Sequence, residues 1–287
     1  EETDTKAENK GLEGQAVALN TGSLSNRGGS ILANQQLTIT NGGQLDNSAG
    51  QLAASENLRL QGAALNLLNT GGIVKAGKLL DINAAAVGGD GQLLSLGDMN
   101  LVSAQGINNS GEMIANGNFN FTTPGDVTNS GKLLAGAKLD LRANNLFNAA
   151  SGEINAGQDW LTVNGTLNNY GLIDGKHTLI QANTLTNIGT GRIYGDAIGV
   201  QTVTFNNLAE NGTAATLAGR ERVDIGTQTL NNYDHGLIYS GGDMAIGGQL
   251  DANHLATGQA GTLNNHSSTL ESAGNMAISA GQINNVN

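Results

Sequence analysis

At 287 residues the chain is long enough to bury a sizeable core, yet only 13% of it is charged and 3% aromatic, with 43 glycines and one proline. Small aliphatics and glycine fill a globular enzyme core poorly and suit a thin body of strands and turns. A net charge of −11 argues against nucleic acid, whose phosphates demand basic patches, and the absence of cysteine excludes disulfides and thiolate metal sites.

Residues 1–23 read as an N-terminal lead-in. The first ten, EETDTKAENK, are charged and polar, unlike a signal peptide. No apolar run reaches the ~18 residues that a membrane-spanning helix needs. From Leu24 the chain repeats with a period of ~20 residues. Apolar anchors fall at Leu24, Leu45, Leu67, Ile107, Val127, Leu146, Leu167, Leu185, Phe205, Leu230, Leu263 and Ile283. Two places after each anchor stands an asparagine: Asn26, Asn47, Asn69, Asn109, Asn129, Asn148, Asn169, Asn187, Asn207, Asn232, Asn265 and Asn285.

Within each unit apolar and polar residues alternate. In KLDL (138–141), Leu139 and Leu141 share one side and Asp140 takes the other. That is a strand pattern, and the glycines between short strands supply turns. A ~20-residue unit at ~3.3 Å per residue traces a closed coil of roughly 65 Å. The expected fold is all-β: a single right-handed parallel β-helix over residues 24–287, a solenoid of about 13 coils, its hand set by the rule for parallel crossovers. By alternation the repeated asparagine points inward. Its carboxamide needs partners, and the nearest is the same residue one coil away, ~4.8 Å along the axis. An internal Asn ladder follows.

Departures from the repeat come in order along the chain. GIVKAGKL (72–79) resembles a phosphate loop as far as Lys78, but Leu79 replaces the magnesium-binding hydroxyl and the repeat already claims the segment. The coil over 87–106 is degenerate. Its GGDGQLLSL (88–96) begins like a calcium-binding nonapeptide, yet Leu93 replaces the liganding Asp and the pattern occurs once. An insertion, AENGTAAT, occupies 209–216, GRERVD (219–224) reads as a solvated loop, and a second insertion lies near 249–262. His177, His235, His254 and His266 never take metal-pair spacing, so no metal and no cofactor is expected. Glu153, Asp159, Asp174, Asp196 and Asp243 share no position in their repeats, and no nucleophile elbow is present. No catalytic residue is assigned.

The residue after each ladder asparagine points outward, and its character changes along the chain. It runs Arg27, Ser48, Thr70, Ser110, Ser130, Ala149, then Tyr170, Ile188, Leu208, Tyr233, His266. Tyr170, Ile188, Leu208, Tyr233 and His266 are the candidate receptor-binding strip. The alternative is that they shield one another or pack under the insertions.

The units LNNSG…LIA…LxL resemble the haemagglutinin repeats of filamentous-haemagglutinin-like exoproteins, most closely those of the contact-dependent growth inhibition (two-partner secretion) class. The resemblance covers Leu24 to the end in one register. It implies a long secreted fibre on a Gram-negative cell surface, exported through an outer-membrane secretion partner. In growth-inhibition members it also implies a region that recognises a receptor on neighbouring cells and a separate toxin, of which nothing appears here. The chain stops at QINNVN as another coil would begin, so it reads as an internal piece with the same β-helix continuing at both ends. The functional expectation is a non-enzymatic segment that recognises an outer-membrane receptor protein or surface glycan on a target bacterium. A passive adhesin stalk and a polysaccharide-cleaving β-helix enzyme are the alternatives. The first would lack a chemically distinct face; the second would need converging carboxylates.

Overall fold

Alternation of apolar and polar side chains, sustained coil after coil, closes the chain into a stack of parallel strands. The computed structural model describes residues 11–287, so the first ten residues of the expected lead-in lie outside the described residues. No helix occurs among the described residues. About 14 turns stack as a β-solenoid, each coil contributing to three rows of parallel strands. The first row carries an aliphatic residue and, two on, a small one: Met113–Ala115 lies on Leu133–Ala135 and then on Ile154–Ala156. The second carries paired large apolars, as Met99–Leu101, Phe119–Phe121 and Leu139–Leu141. The third carries anchor and asparagine, as Ile107–Asn109, Val127–Asn129 and Leu146–Asn148. Residues 12–21, read from the sequence within the lead-in, already form a strand of the stack. Leu12 pairs with Ile31 and Leu19 with Ile39.

The asparagine ladder is the internal seam of the third row. Asn26 to Asn265 are all at most 7% exposed, and most are at 0–1%. From Asn26 to Asn265, every Nδ2 but that of Asn69 donates to the Oδ1 of the asparagine one coil towards the C-terminus, at 2.7–2.9 Å. The second Nδ2 hydrogen serves the turn: Asn47 also donates to the carbonyls of Gly50 and Ile73, both at 3.2 Å. The turn that follows leaves no room for a side chain. A Cβ on Gly72 would collide with the Asn47 carbonyl oxygen and with Asn69 Oδ1, so glycine there is a steric demand of the ladder.

The ladder has one gap, in the coil expected to be degenerate. Val87 fills the anchor position, but Gly89 stands where the asparagine belongs, at φ 105°. The strand Ala86–Gly88 pairs with Asn66–Leu68 below, whereas Ile107–Asn109 pairs only with Val127–Asn129 above. The third row is accordingly divided into two sheets at this coil.

From residue 153 to 233 the corners tighten and the strands run long: Glu153–Asn169, Leu172–Ile188, Arg192–Glu210 and Thr216–Tyr233. Here the second row turns polar inside. Asp159 takes the position of Leu139 in the coil before, and Thr178 follows it. The Thr178 hydroxyl donates to the Tyr194 carbonyl at 2.9 Å. Asp159 is fully buried and neither carboxyl oxygen has a hydrogen-bond partner. Burial pushes its carboxyl up to about 8, with Asp174 adding to the rise; the Ala156 amide, close but not in hydrogen-bonding geometry, acts in the opposite direction.

Two outcomes are expected. Asn129→Leu removes the Asn109–Asn129 and Asn129–Asn148 bonds and strands amide groups on two coils, costing about 1–3 kcal/mol for each group left unsatisfied. Ser130→Leu, at a half-buried outward site, costs much less, so thermal melts of the two variants should separate clearly. For Asp159, the folded protein holds a proton that the unfolded chain releases near 3.8. Stability therefore falls as pH rises from about 4 to about 8, on the order of a few kcal/mol. Asp159→Leu should raise the melting temperature and flatten that slope; an unchanged slope would place the titration elsewhere.

Candidate interaction surface

The five strip residues stand at the corner between the third row and the first, just outside the ladder. Ile188 lies over Leu208 and Tyr233 over His266 in register. His266 is exposed and the other four are half-buried. Part of that cover is mutual. The Tyr170 ring leans on Phe147 with centroids 5.5 Å apart, and Tyr233 on His266 at 5.0 Å.

The insertion at 209–216 borders this strip and is ordered. Ala209 pairs with Ala214 and Glu210 with Thr213, antiparallel, around Asn211 and Gly212 at φ 50° and 76°. An Asn-Gly pair with both φ positive is the turn that matches strand twist in a two-residue hairpin. Arg192 fastens it: one guanidinium nitrogen donates to the carbonyls of Gly189, Gly191 and Ala214 at 3.2, 2.8 and 3.1 Å. Burial, and then the neighbouring Glu210 carboxylate, raise the Tyr170 hydroxyl above its ordinary pKa. Asp234 and His235 follow Tyr233 at φ 53° and 68° and face the hairpin across an open groove of about 310 Å³.

The second insertion does not border the strip. It packs on the outward face of the second row. Gln249 pairs with Thr257 and Leu250 with Ala256 to form a short arm. The Leu250 amide donates to Gln201 Oε1 at 2.5 Å and the Ala256 amide to Asp224 Oδ1 at 2.8 Å. His254, at the tip, meets the Trp160 ring edge-on at 5.8 Å, while Lys138 Nζ sits 3.4 Å from that ring's centroid. A side chain on Gly226 would collide with Gln249, so the strand is built to receive the arm.

GRERVD, read as a solvated loop, belongs to the strand Thr216–Tyr233. Arg222 holds the buried Asp224 through two bonds at 2.5 and 3.0 Å, beside the arm. Arg220 is outside, bridging Asp196 at 2.9 Å and Asp174 at 3.7 Å. Lys78 of the phosphate-loop lookalike pairs with Glu56 at 2.7 Å, and Leu80 beside it is core. His177 and His254 line one cavity under the arm and His235 and His266 lie on neighbouring coils, but among the described residues no group of three or more His, Cys, Asp and Glu is placed to hold a metal. Sequence reasoning named His254 among the histidines but did not bring it to Trp160 and Lys138, because the arm reaches back across several coils. Its only local trace was the pair Trp160 and Leu179, large apolar residues in a column otherwise held by small or polar ones.

A family model described as the haemagglutinin repeat matches residues 11–49, 48–85, 76–123, 118–194 and 196–287. No curated protein and no solved structure matches the chain.

Because Trp160 is the single tryptophan, the arm's seating can be read by fluorescence. His254→Ala should shift Trp160 emission to longer wavelength as the ring loses its cover; unchanged emission would mean that the arm tip does not rest on it.

Proposed function

The chain belongs to the haemagglutinin-repeat family, and from that premise we propose that it is a recognition segment of a secreted bacterial surface fibre. Haemagglutinin repeats build secreted surface proteins, and a β-solenoid of them fits a segment of a filamentous adhesin. The finer reading is the receptor-recognition region of a contact-dependent growth inhibition exoprotein. It would bind an outer-membrane receptor on a neighbouring Gram-negative cell and leave its own cell through an outer-membrane secretion partner. Its role is non-enzymatic: Asp174 and Asp196 meet only through Arg220, which pairs with both, Asp243 lies beside Arg222 instead, and Asp159 is sealed inside the stack.

One observation carries the reading. On the coils where Tyr170, Ile188, Leu208 and Tyr233 replace small polar residues, the chain also builds an ordered hairpin, fastened by Arg192, beside them. Four such side chains supply a few hundred Å², given about 150–250 Å² for a fully buried aromatic, and a standard partner surface needs ~800 Å². The hairpin and the groove edged by Asp234 and His235 add to it. A passive stalk, the second reading, draws on the mutual cover within the strip; it requires neither the hairpin nor the groove.

The test is retention of the folded chain on intact Gram-negative cells. Tyr170→Ser with Tyr233→Ser should lower retention at least about tenfold, the range expected for hot-spot aromatics. The control, Ser110→Ala with Ser130→Ala, should bind like the parent. Equal binding by both folded variants would make the strip structural.

A further inference from the structure

The third row carries a second amide chain on its outside, running the opposite way to the one within. Asn284 Nδ2 donates to Asn264 Oδ1 at 2.7 Å, Asn264 to Asn231 and Asn231 to Asn206 at 2.8 Å, and Asn206 to the Thr186 hydroxyl at 3.3 Å. Two residues before these lies a column of threonines: Thr184, Thr204, Thr229 and Thr262 in register, with Thr166 preceding them. The sequence shows both as TLNN-like tetrads at 166–169, 184–187, 204–207, 229–232 and 262–265. Two residues after the amides comes the strip, and the Tyr233 hydroxyl donates back to Asn231 Oδ1 at 3.3 Å. All these threonines and amides are half-exposed, and no charged residue interrupts either column, although the chain's net charge is −11.

A carboxamide offers two N–H donors and two lone pairs. In the outer chain Asn206 and Asn264 each spend one of each on their neighbours, and each keeps one N–H and one lone pair for solvent. Asn231 keeps its N–H alone, since Tyr233 takes the second lone pair. The neighbours hold these groups in fixed orientation, so a ligand need not order them on binding. The result is a free N–H on three successive coils ~4.8 Å apart, with a free lone pair on the first and third, hydroxyls on one flank and Leu208, Tyr233 and His266 on the other.

We propose that this outer Thr–Asn face, with the adjoining tyrosines, binds a linear, uncharged polysaccharide lying along the solenoid axis. The inference rests on the reading that these coils recognise a cell surface, and it names the chemistry recognised. Three features favour that occupant. A face that repeats its polar groups coil by coil complements a ligand that repeats its own hydroxyls along a line, which a folded protein surface does not. Neutral hydroxyl and amide groups complement neutral sugar hydroxyls, while the tyrosine rings offer apolar faces to sugar C–H groups. The three columns span roughly 24 Å by 13 Å, long and narrow in the proportions of a single extended sugar chain.

The experiment has two arms, both with the 287-residue chain. In the first, retention is measured on target cells pre-treated with periodate, which cleaves sugar diols, or with a protease. In the second, calorimetry measures binding of the protein-free polysaccharide released from those cells by mild acid. It compares the parent with Asn206→Ala/Asn264→Ala and, on another row, Asn100→Ala/Asn120→Ala, each checked for parental melting. The proposal expects loss of retention after periodate but not after protease. It also expects at least tenfold weaker polysaccharide binding by Asn206→Ala/Asn264→Ala, with the control unchanged. Retention lost to protease and kept after periodate would overturn the polysaccharide while leaving cell-surface recognition standing. Polysaccharide binding untouched by Asn206→Ala/Asn264→Ala would overturn the assignment to this face. Absence of retention on any untreated cell would overturn the recognition reading and this inference with it.

Discussion

A carboxamide sealed inside an apolar coil finds partners in two places: its own copies above and below, and the carbonyls of the turn beside it. That constraint organises the structure. Each ladder asparagine gives one hydrogen to the next asparagine and the other to turn carbonyls, so side chain and corner are fixed together. The corner must then pass so close to the ladder that only glycine fits, as at Gly72. An inward leucine would fill the same space but would leave the turn carbonyls without a donor. The ladder thus sets coil period, corner composition and the register of all three rows at once. Where Gly89 interrupts it, strand pairing in that row lapses too.

What the sequence made legible follows from this constraint. The anchors and asparagines recur because any drift leaves a buried polar group unpaired, so rows, inward faces and the degenerate coil at 87–106 were all readable. The start of the stack was not. The segment at 12–21 lacks a preceding anchor and asparagine, yet it pairs throughout with the next coil. Insertions were located by lost register, but their form was not given by period. The Asn211–Gly212 turn was a local hairpin signal left unread, and the arm at 249–257 finds its contacts on Gln201, Asp224 and Trp160, remote in sequence. Asp159 was named only as an acid out of step with the repeat; its burial was not legible because the coil's corner is shortened there, which brings it onto the inward position of Leu139. In the candidate site, the strip's position was legible; its partial cover by Phe147 and by mutual contact was not, since alternation reports direction and says nothing about neighbours.

The outer surface is decorated on two separate rows over the same stretch of coils. One carries the strip, the Thr–Asn columns and the Arg192-fastened hairpin. The other carries the arm, seated on a glycine and tied to the buried Asp224 that Arg222 holds. Both appear where the strands run long and the corners tighten, and neither is required by the ladder. A solenoid is suited to this arrangement: each coil answers only to its neighbours, so side chains outside the seam change without disturbing it. The scaffold's uniformity is what makes its few irregular features chemically distinct.

The most direct test of the central claim is hydrogen exchange of the asparagine side-chain amides, followed by NMR. Both Nδ2 hydrogens of Asn129, Asn148 and Asn169 are bound and shielded from water. They should exchange orders of magnitude more slowly than those of the outward Asn206 and Asn264, at rates set by opening of the stack. Exchange of the inward amides as fast as that of the outward ones would contradict the ladder as the interaction that holds the coils together.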